Sequence, residues 1–119
     1  MDVEFGRIAA TITVSDMSRA LAFYVGGLGM TKTFENGDPV GFAIVERGAA
    51  VLHLELGEEH RGTVHNVAHL MVGDATALYD HLVAHGVVIV KGLRDADYGL
   101  RTFVFADPDG NRIDVGQQL

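Results

Sequence analysis

The feature that most constrains what this chain can fold into is an internal repeat. Displacing the sequence by 58 residues lays Val14-Ser15-Asp16 over Val72-Gly73-Asp74, and the apolar positions beyond follow: Ala20 on Leu78, Leu21 on Tyr79, Tyr24 on Leu82. A repeated unit that cannot bury its apolar face alone packs against its neighbour. Each copy opens with a run of period-two character, residues 8–14 and 64–72, which reads as a strand. Asp16 and Asp74 then stand where a helix N-cap belongs, with carboxylates placed to accept from the free N–H groups of the first turn. The spacing predicts helices over 17–28 and 75–84. The first buries Ala20, Leu21, Phe23, Tyr24 and Leu28 and stops at Gly26, Gly27 and Gly29; the second buries Leu78, Leu82 and Val83 and stops at Gly86.

Strand-like segments follow each helix: 30–34, 41–46 and 50–56 in the first half, 87–90, 102–106 and 111–117 in the second. Their separators, Glu35 to Pro39, Arg47-Gly48 and Asp107 to Gly110, are rich in residues that preset φ or accept a positive one. Each half is therefore strand, helix, three strands. The prediction is an α+β chain: a single domain over 1–119 built from two βαβββ modules, 5–57 and 63–118, joined by a polar link with Glu58, Glu59, His60 and Arg61. A four-stranded sheet with a helix on one face leaves its other face bare. Two such curved mixed sheets, side by side under their right-handed twist, line a cleft, and a ligand belongs there.

Composition narrows the chemistry. The absence of cysteine removes a disulfide framework, a thiolate zinc site, an iron–sulfur cluster and a Cys nucleophile, and is compatible with a reducing cytoplasm. Two acids precede the first apolar run and no 18-residue apolar stretch exists, so neither a signal peptide nor a membrane span is expected. With 9 Lys and Arg against 16 Asp and Glu the formal charge is −7, without a basic cluster. Nucleic-acid binding rests on neutralising phosphates with basic side chains, so a neutral or cationic small molecule is the better partner. The only serines, Ser15 and Ser18, lie at a helix start, which leaves no nucleophile elbow, and Gly26-Gly27-Leu28-Gly29 ends a helix instead of opening one, which excludes a phosphate-binding loop.

The stretch Ile12-Thr-Val-Ser-Asp-Met-Ser-Arg-Ala-Leu-Ala-Phe-Tyr24, then Leu28-Gly29-Met30, and the ending Phe105-Ala-Asp-Pro-Asp-Gly-Asn-Arg-Ile-Asp114 together resemble the glyoxalase/bleomycin-resistance/extradiol-dioxygenase superfamily, the vicinal oxygen chelate proteins. The resemblance covers nearly the whole chain and implies paired βαβββ modules. It implies no single activity, because the superfamily spans metal-dependent lyases, epimerases, dioxygenases and thiol transferases as well as metal-free proteins that sequester antibiotics. It also implies a divalent metal held by one side chain from the first and last strand of each module. Carried over by position, those four places fall on Ala9, His53, Val67 and Asp114. Methyl and isopropyl groups offer no lone pair, and two donors are a poor trap for ions that want about four to six.

Strand alternation places Val51, His53 and Glu55, and His65, Val67, His69 and Met71, on the cleft side. His69 stands two residues, roughly 7 Å, along its strand from the Val67 position. Tyr98 and Arg101, in the segment Asp95 to Arg101, correspond by resemblance to a stretch at the cleft mouth, where Tyr98 offers a stacking face and Asp95 and Asp97 attract a cation. The expected ligand-binding residues are thus His53, Glu55, Val67, His69, Tyr98, Arg101 and Asp114. The favoured reading is a cytoplasmic protein, a homodimer by resemblance to the superfamily, that holds a planar or cationic small molecule without a metal cofactor, with antibiotic sequestration as one form of it. The alternative is a lyase, isomerase or dioxygenase using Zn, Ni, Mn or Fe on a displaced site of His53, His69 and Asp114, with Glu55 as ligand or base. Against both stands a plainer role, in which His53 and His69 are amphipathic wall residues, His60, His81 and His85 lie on the surface, Phe23 and Tyr24 are core, and the acids of Asp107 to Gly110 serve a turn.

Overall fold

The computed structural model describes all 119 residues. Strand β1 (Ala10–Val14) leads into helix α1 (Met17–Leu21), and β2 (Thr31–Asn36), β3 (Phe42–Arg47) and β4 (Ala50–Leu56) follow. The second module repeats this with β5 (Asn66–Met71), α2 (Ala75–Ala84), β6 (Val88–Asp95), β7 (Leu100–Ala106) and β8 (Arg112–Gln118). Each module is one four-stranded mixed sheet, in the orders β1-β4-β3-β2 and β5-β8-β7-β6. In both sheets the first strand runs parallel to the last and the other pairs are antiparallel. The predicted pair of βαβββ modules is the fold of the chain.

The two N-caps form as the sequence predicts. Asp16 accepts from the Arg19 N–H at 2.9 Å and Asp74 from the Ala77 N–H at 3.0 Å. Three details differ. The first helix is α-helical only to Leu21 and then widens into a π-helical segment over Ala22–Gly27, closed by Leu28 N–H donating to the Phe23 carbonyl five residues back at 2.9 Å. Val25, Gly26 and Gly27 are poor helix formers, so the wider turn is cheap there. Val83 is 49% exposed, because α2 packs through Leu78, Tyr79 and Leu82 instead. Strand β6 runs on to Asp95, with register shifts between Ile89 and Lys91 and between Lys91 and Arg94. Such bulges scramble the period-two signal, which is why the sequence pattern stops at residue 90.

Both modules share one core. Its 16 buried residues include Ile12, Tyr24, Val45 and Leu54 from the first and Phe103, Phe105, Ile113 and Val115 from the second, with Phe23 and Phe105 ring centroids 6.1 Å apart. At one end of the seam the five-residue turn between β7 and β8 is more than a turn. Asp107 Oδ1 accepts from the Asp109 and Asn111 N–H groups at 2.9 Å, and its Oδ2 accepts from the Tyr24 hydroxyl at 2.8 Å and from Asn111 Nδ2 at 2.9 Å. Asn111 Nδ2 also reaches the Thr13 carbonyl at 2.9 Å, and its Oδ1 meets His60 Nε2 at 2.7 Å, which draws His60 from the surface into the seam. Asp109 Oδ1 accepts from the Ser15 N–H at 2.9 Å, the Ser15 hydroxyl and Arg19 Nη2 at 2.8 Å. Burial pushes the Tyr24 phenol far above its ordinary pKa, and the Asp107 carboxylate adds to it. For Asp109 burial works upward, yet the hydrogen bonds from Ser15 and the Arg19 guanidinium outweigh it and hold the carboxyl below the usual aspartate value.

Candidate ligand-binding faces

On the first sheet Ile12, Val14, Ala43, Val45 and Leu54 are buried and mark the packed face. Alternation turns Thr11, Thr13, Phe42, Ile44, His53 and Glu55 to the opposite, open face. Register then sets neighbours: Thr11 beside His53, His53 beside Ile44, and Glu55 between Thr13 and Phe42. Phe34, 48% exposed, joins from β2 opposite Ile44. The result is an aromatic row. The Phe34 and Phe42 rings lie 6.1 Å apart at 64°, and Phe42 and His53 lie 5.4 Å apart at 81°, both edge-to-face. Phe34, Phe42 and Ile44 did not figure among the expected binding residues, although the alternation within 31–36 and 42–47 carries them.

On the second sheet Phe103, Phe105, Ile113 and Val115 mark the packed face, so Asp114 and Gly116 turn outward. His69, paired in register with Asp114, donates from Nδ1 to Asp114 Oδ2 at 2.6 Å, since a carboxylate only accepts. Its Nε2 lies 3.0 Å from Met71 Sδ. This arrangement needs the glycine at 116, where a Cβ would stand 3.2 Å from Leu100 Cδ1 and Met71 Sδ and 3.3 Å from His69 Cε1.

The remaining expected residues are placed as follows. Val67 packs against the core instead of lining the open face. Asn66 pairs with Arg112 and Ala68 with Ile113, so two steps on β5 match one on β8, and this bulge reverses the alternation that put residues 65 and 67 on the side of His69. Tyr98 is 64% exposed in the turn before β7. Arg101 shares the strand parity of Phe103 and so points to the packed side, where Asp95 takes it bidentately at 2.7 and 3.2 Å and Thr76 Oγ1 lies at 3.5 Å. Its guanidinium holds the Asp95 carboxyl below the ordinary value. The structure therefore joins His69 to Asp114 and Asp95 to Arg101, while His53 and Glu55 remain on the other sheet.

The family model described as Glyoxalase/Bleomycin resistance protein/Dioxygenase superfamily matches residues 5–115. The chain belongs to that superfamily. Similar solved structures include a glyoxalase/bleomycin resistance protein/dioxygenase superfamily member from Sphaerobacter thermophilus DSM 20745, 29% identical, covering 94% of this chain and 98% of that one, with a TM-score of 0.76. TioX from Micromonospora sp. ML1 is 19% identical, covers 97% and 100% of the two chains and has a TM-score of 0.80. Lactoylglutathione lyase from Agrobacterium tumefaciens is 17% identical, covers 94% and 92%, and has a TM-score of 0.75. At those two identities the likeness is one of fold. No curated protein matches the sequence.

The metal that the superfamily implies does not fit the donor set of this chain. The alanine at 9 offers no lone pair, Val67 packs inward away from the open face, and no three His, Cys, Asp or Glu side chains converge within the chain as a metal site. No helix is long and apolar enough to cross a membrane.

Proposed function

We propose that this superfamily member is a binding protein that takes a small planar or cationic molecule on the open faces of its sheets, works without a resident metal, and in one form of that role sequesters an antibiotic. The observation that carries the reading is the aromatic row Phe34, Phe42 and His53 with the exposed Glu55 next to it: rings offer a stacking surface and the carboxylate attracts positive charge. The alanine at 9 and the formal charge of −7 support it. The protein acts as a homodimer, in which the open face of one module is closed by the partner; half-exposed Phe34 on an edge strand is the kind of surface such pairing covers.

Calorimetric titration with bleomycin-type and other planar cationic antibiotics tests the reading. Saturable binding at micromolar concentration, weakened about tenfold or more by Phe42→Ala, supports it. Flat titrations across a broad panel overturn it. One observation favours a second reading, a divalent-metal lyase, isomerase or dioxygenase: His69 and Asp114 already stand side by side. Elemental analysis of protein purified without chelator decides between them, because a stoichiometric Zn, Ni, Mn or Fe that is lost in His69→Ala replaces the first reading with the second.

A further inference from the structure

The repeat makes the two ends of the module seam comparable. At one end the turn between β7 and β8 spans Asp107 to Asn111 and reaches across to Ser15 and Arg19, at the start of α1. At the other end the corresponding connection between β3 and β4 is only Gly48-Ala49, the residues between Arg47 and Ala50. That shorter turn lies opposite Gly73, at the start of α2, and between them is a cavity of about 760 Å³. The volume falls in the range of sites that take drug-sized ligands.

Its walls are apolar, among them Leu28, Met30, Leu70, Val72 and Leu78. Gly26, Gly27, Gly29, Gly48 and Gly73 add lining without side chains. Gly29, at φ +70°, lies under the guanidinium of Arg47, and a Cβ there would stand 3.0 Å from Nη1. The same Nη1 donates to the Leu28 carbonyl at 2.8 Å, the one hydrogen bond of the Arg47 side chain, and no carboxylate pairs with it. On the opposite rim His81 donates from Nε2 to the Gly27 carbonyl at 2.8 Å, tying α2 to the end of the first helix. No Asp or Glu lines the cavity, although acids outnumber bases 16 to 9 in the chain.

We infer that this cavity is a second ligand site, at the end of the module seam and bordered by Met71 of the open face, and that it takes a small organic anion with an apolar body, whose charge pairs with Arg47 while its body fills the space left by the short turn. A guanidinium with free N–H groups beside hydrocarbon walls recognises a carboxylate or sulfonate on an apolar frame.

The test is a titration with 2-naphthoate, with 2-naphthamide as its neutral counterpart, followed by amide chemical shifts in ¹H–¹⁵N spectra. Saturable one-to-one binding of naphthoate, shifts centred on Gly27, Gly48 and Gly73, and at least about tenfold weaker binding of the amide are the expected results. Arg47→Gln, at an exposed side chain, weakens naphthoate about tenfold or more, and Leu78→Trp, which fills the space, abolishes it. Equal affinity for acid and amide, shifts confined to Phe42, His53 or other open-face residues, or an unchanged affinity in Arg47→Gln would overturn the assignment. So would a flat titration, the result to be expected if a second copy of the chain closes the mouth.

Discussion

The hydroxyl of Tyr24 donates to Asp107 Oδ2 over 2.8 Å, across 83 residues of sequence, and so ties the first helix to the last turn of the other module. Tyr24 is wholly buried, and phenylalanine would keep its packing while removing the donor. Asp107 Oδ2 would retain Asn111 Nδ2 as a partner. Tyr24→Phe is therefore expected to lower stability by about 1–2 kcal/mol, read as a shifted urea midpoint with an unchanged slope. An unmoved midpoint would remove this bond from the forces that hold the modules together.

Acid should loosen the same seam. The folded Asp109 carboxyl titrates below its ordinary value of 3.8, so its contribution is complete above that pH and is lost as the pH falls through the folded value. Thermal midpoints should be level near neutrality and drop below about pH 4. Asp109→Asn should start lower and lose less on acidification. An Asp109→Asn protein with the same acid profile as the parent would place the sensitivity elsewhere.

Two glycines separate backbone strain from collision. Gly62, at φ +96°, is so close to the β7–β8 turn that a Cβ would meet the Asp109 carbonyl oxygen at 2.9 Å and that of Gly110 at 3.0 Å, both backbone. Gly86, at φ +72°, has open space around it. Alanine at 86 should cost about 1–2 kcal/mol for the left-handed conformation alone, and alanine at 62 about 1–3 kcal/mol more. Equal losses in the two variants would mean that the turn yields freely.

Gly116→Ala should disturb the open face while leaving the fold intact. The added methyl meets only the ends of Leu100, Met71 and His69, which can swing aside, so the stability loss should stay below about 1 kcal/mol. His69 would be displaced from Asp114, and its ring resonances should move toward those of an unpaired histidine in NMR spectra. Unaltered His69 resonances would show that the pair tolerates the methyl.

The repeat, the two aspartate caps and the alternating strands were enough to read the paired modules, because these are local signals whose periods differ between helix and strand. The site was legible only in part. His53 and Glu55 follow the alternation of β4, which has no bulge, and of the expected group His53, His69 and Asp114 the register makes partners of His69 and Asp114. Val67 and Arg101 were less readable. A bulge inserts one residue without any distinctive letter, and Arg101 takes its direction from strand β7 beginning at Leu100, two residues before the sequence pattern suggests. Asp107 and Asp109 read as turn formers because their hydrogen-bond partners, Tyr24, Ser15 and Arg19, lie more than 80 residues away.

The stagger at Asn66 and Ala68 has a consequence for anyone hoping to restore a metal centre by substitution. An imidazole written at position 67 would hang among hydrocarbon neighbours, facing inward, however well the letter matched a relative. The place beside Asp114 on the open face already belongs to the imidazole of His69, two residues further on, so a new side chain at 67 would add no donor there.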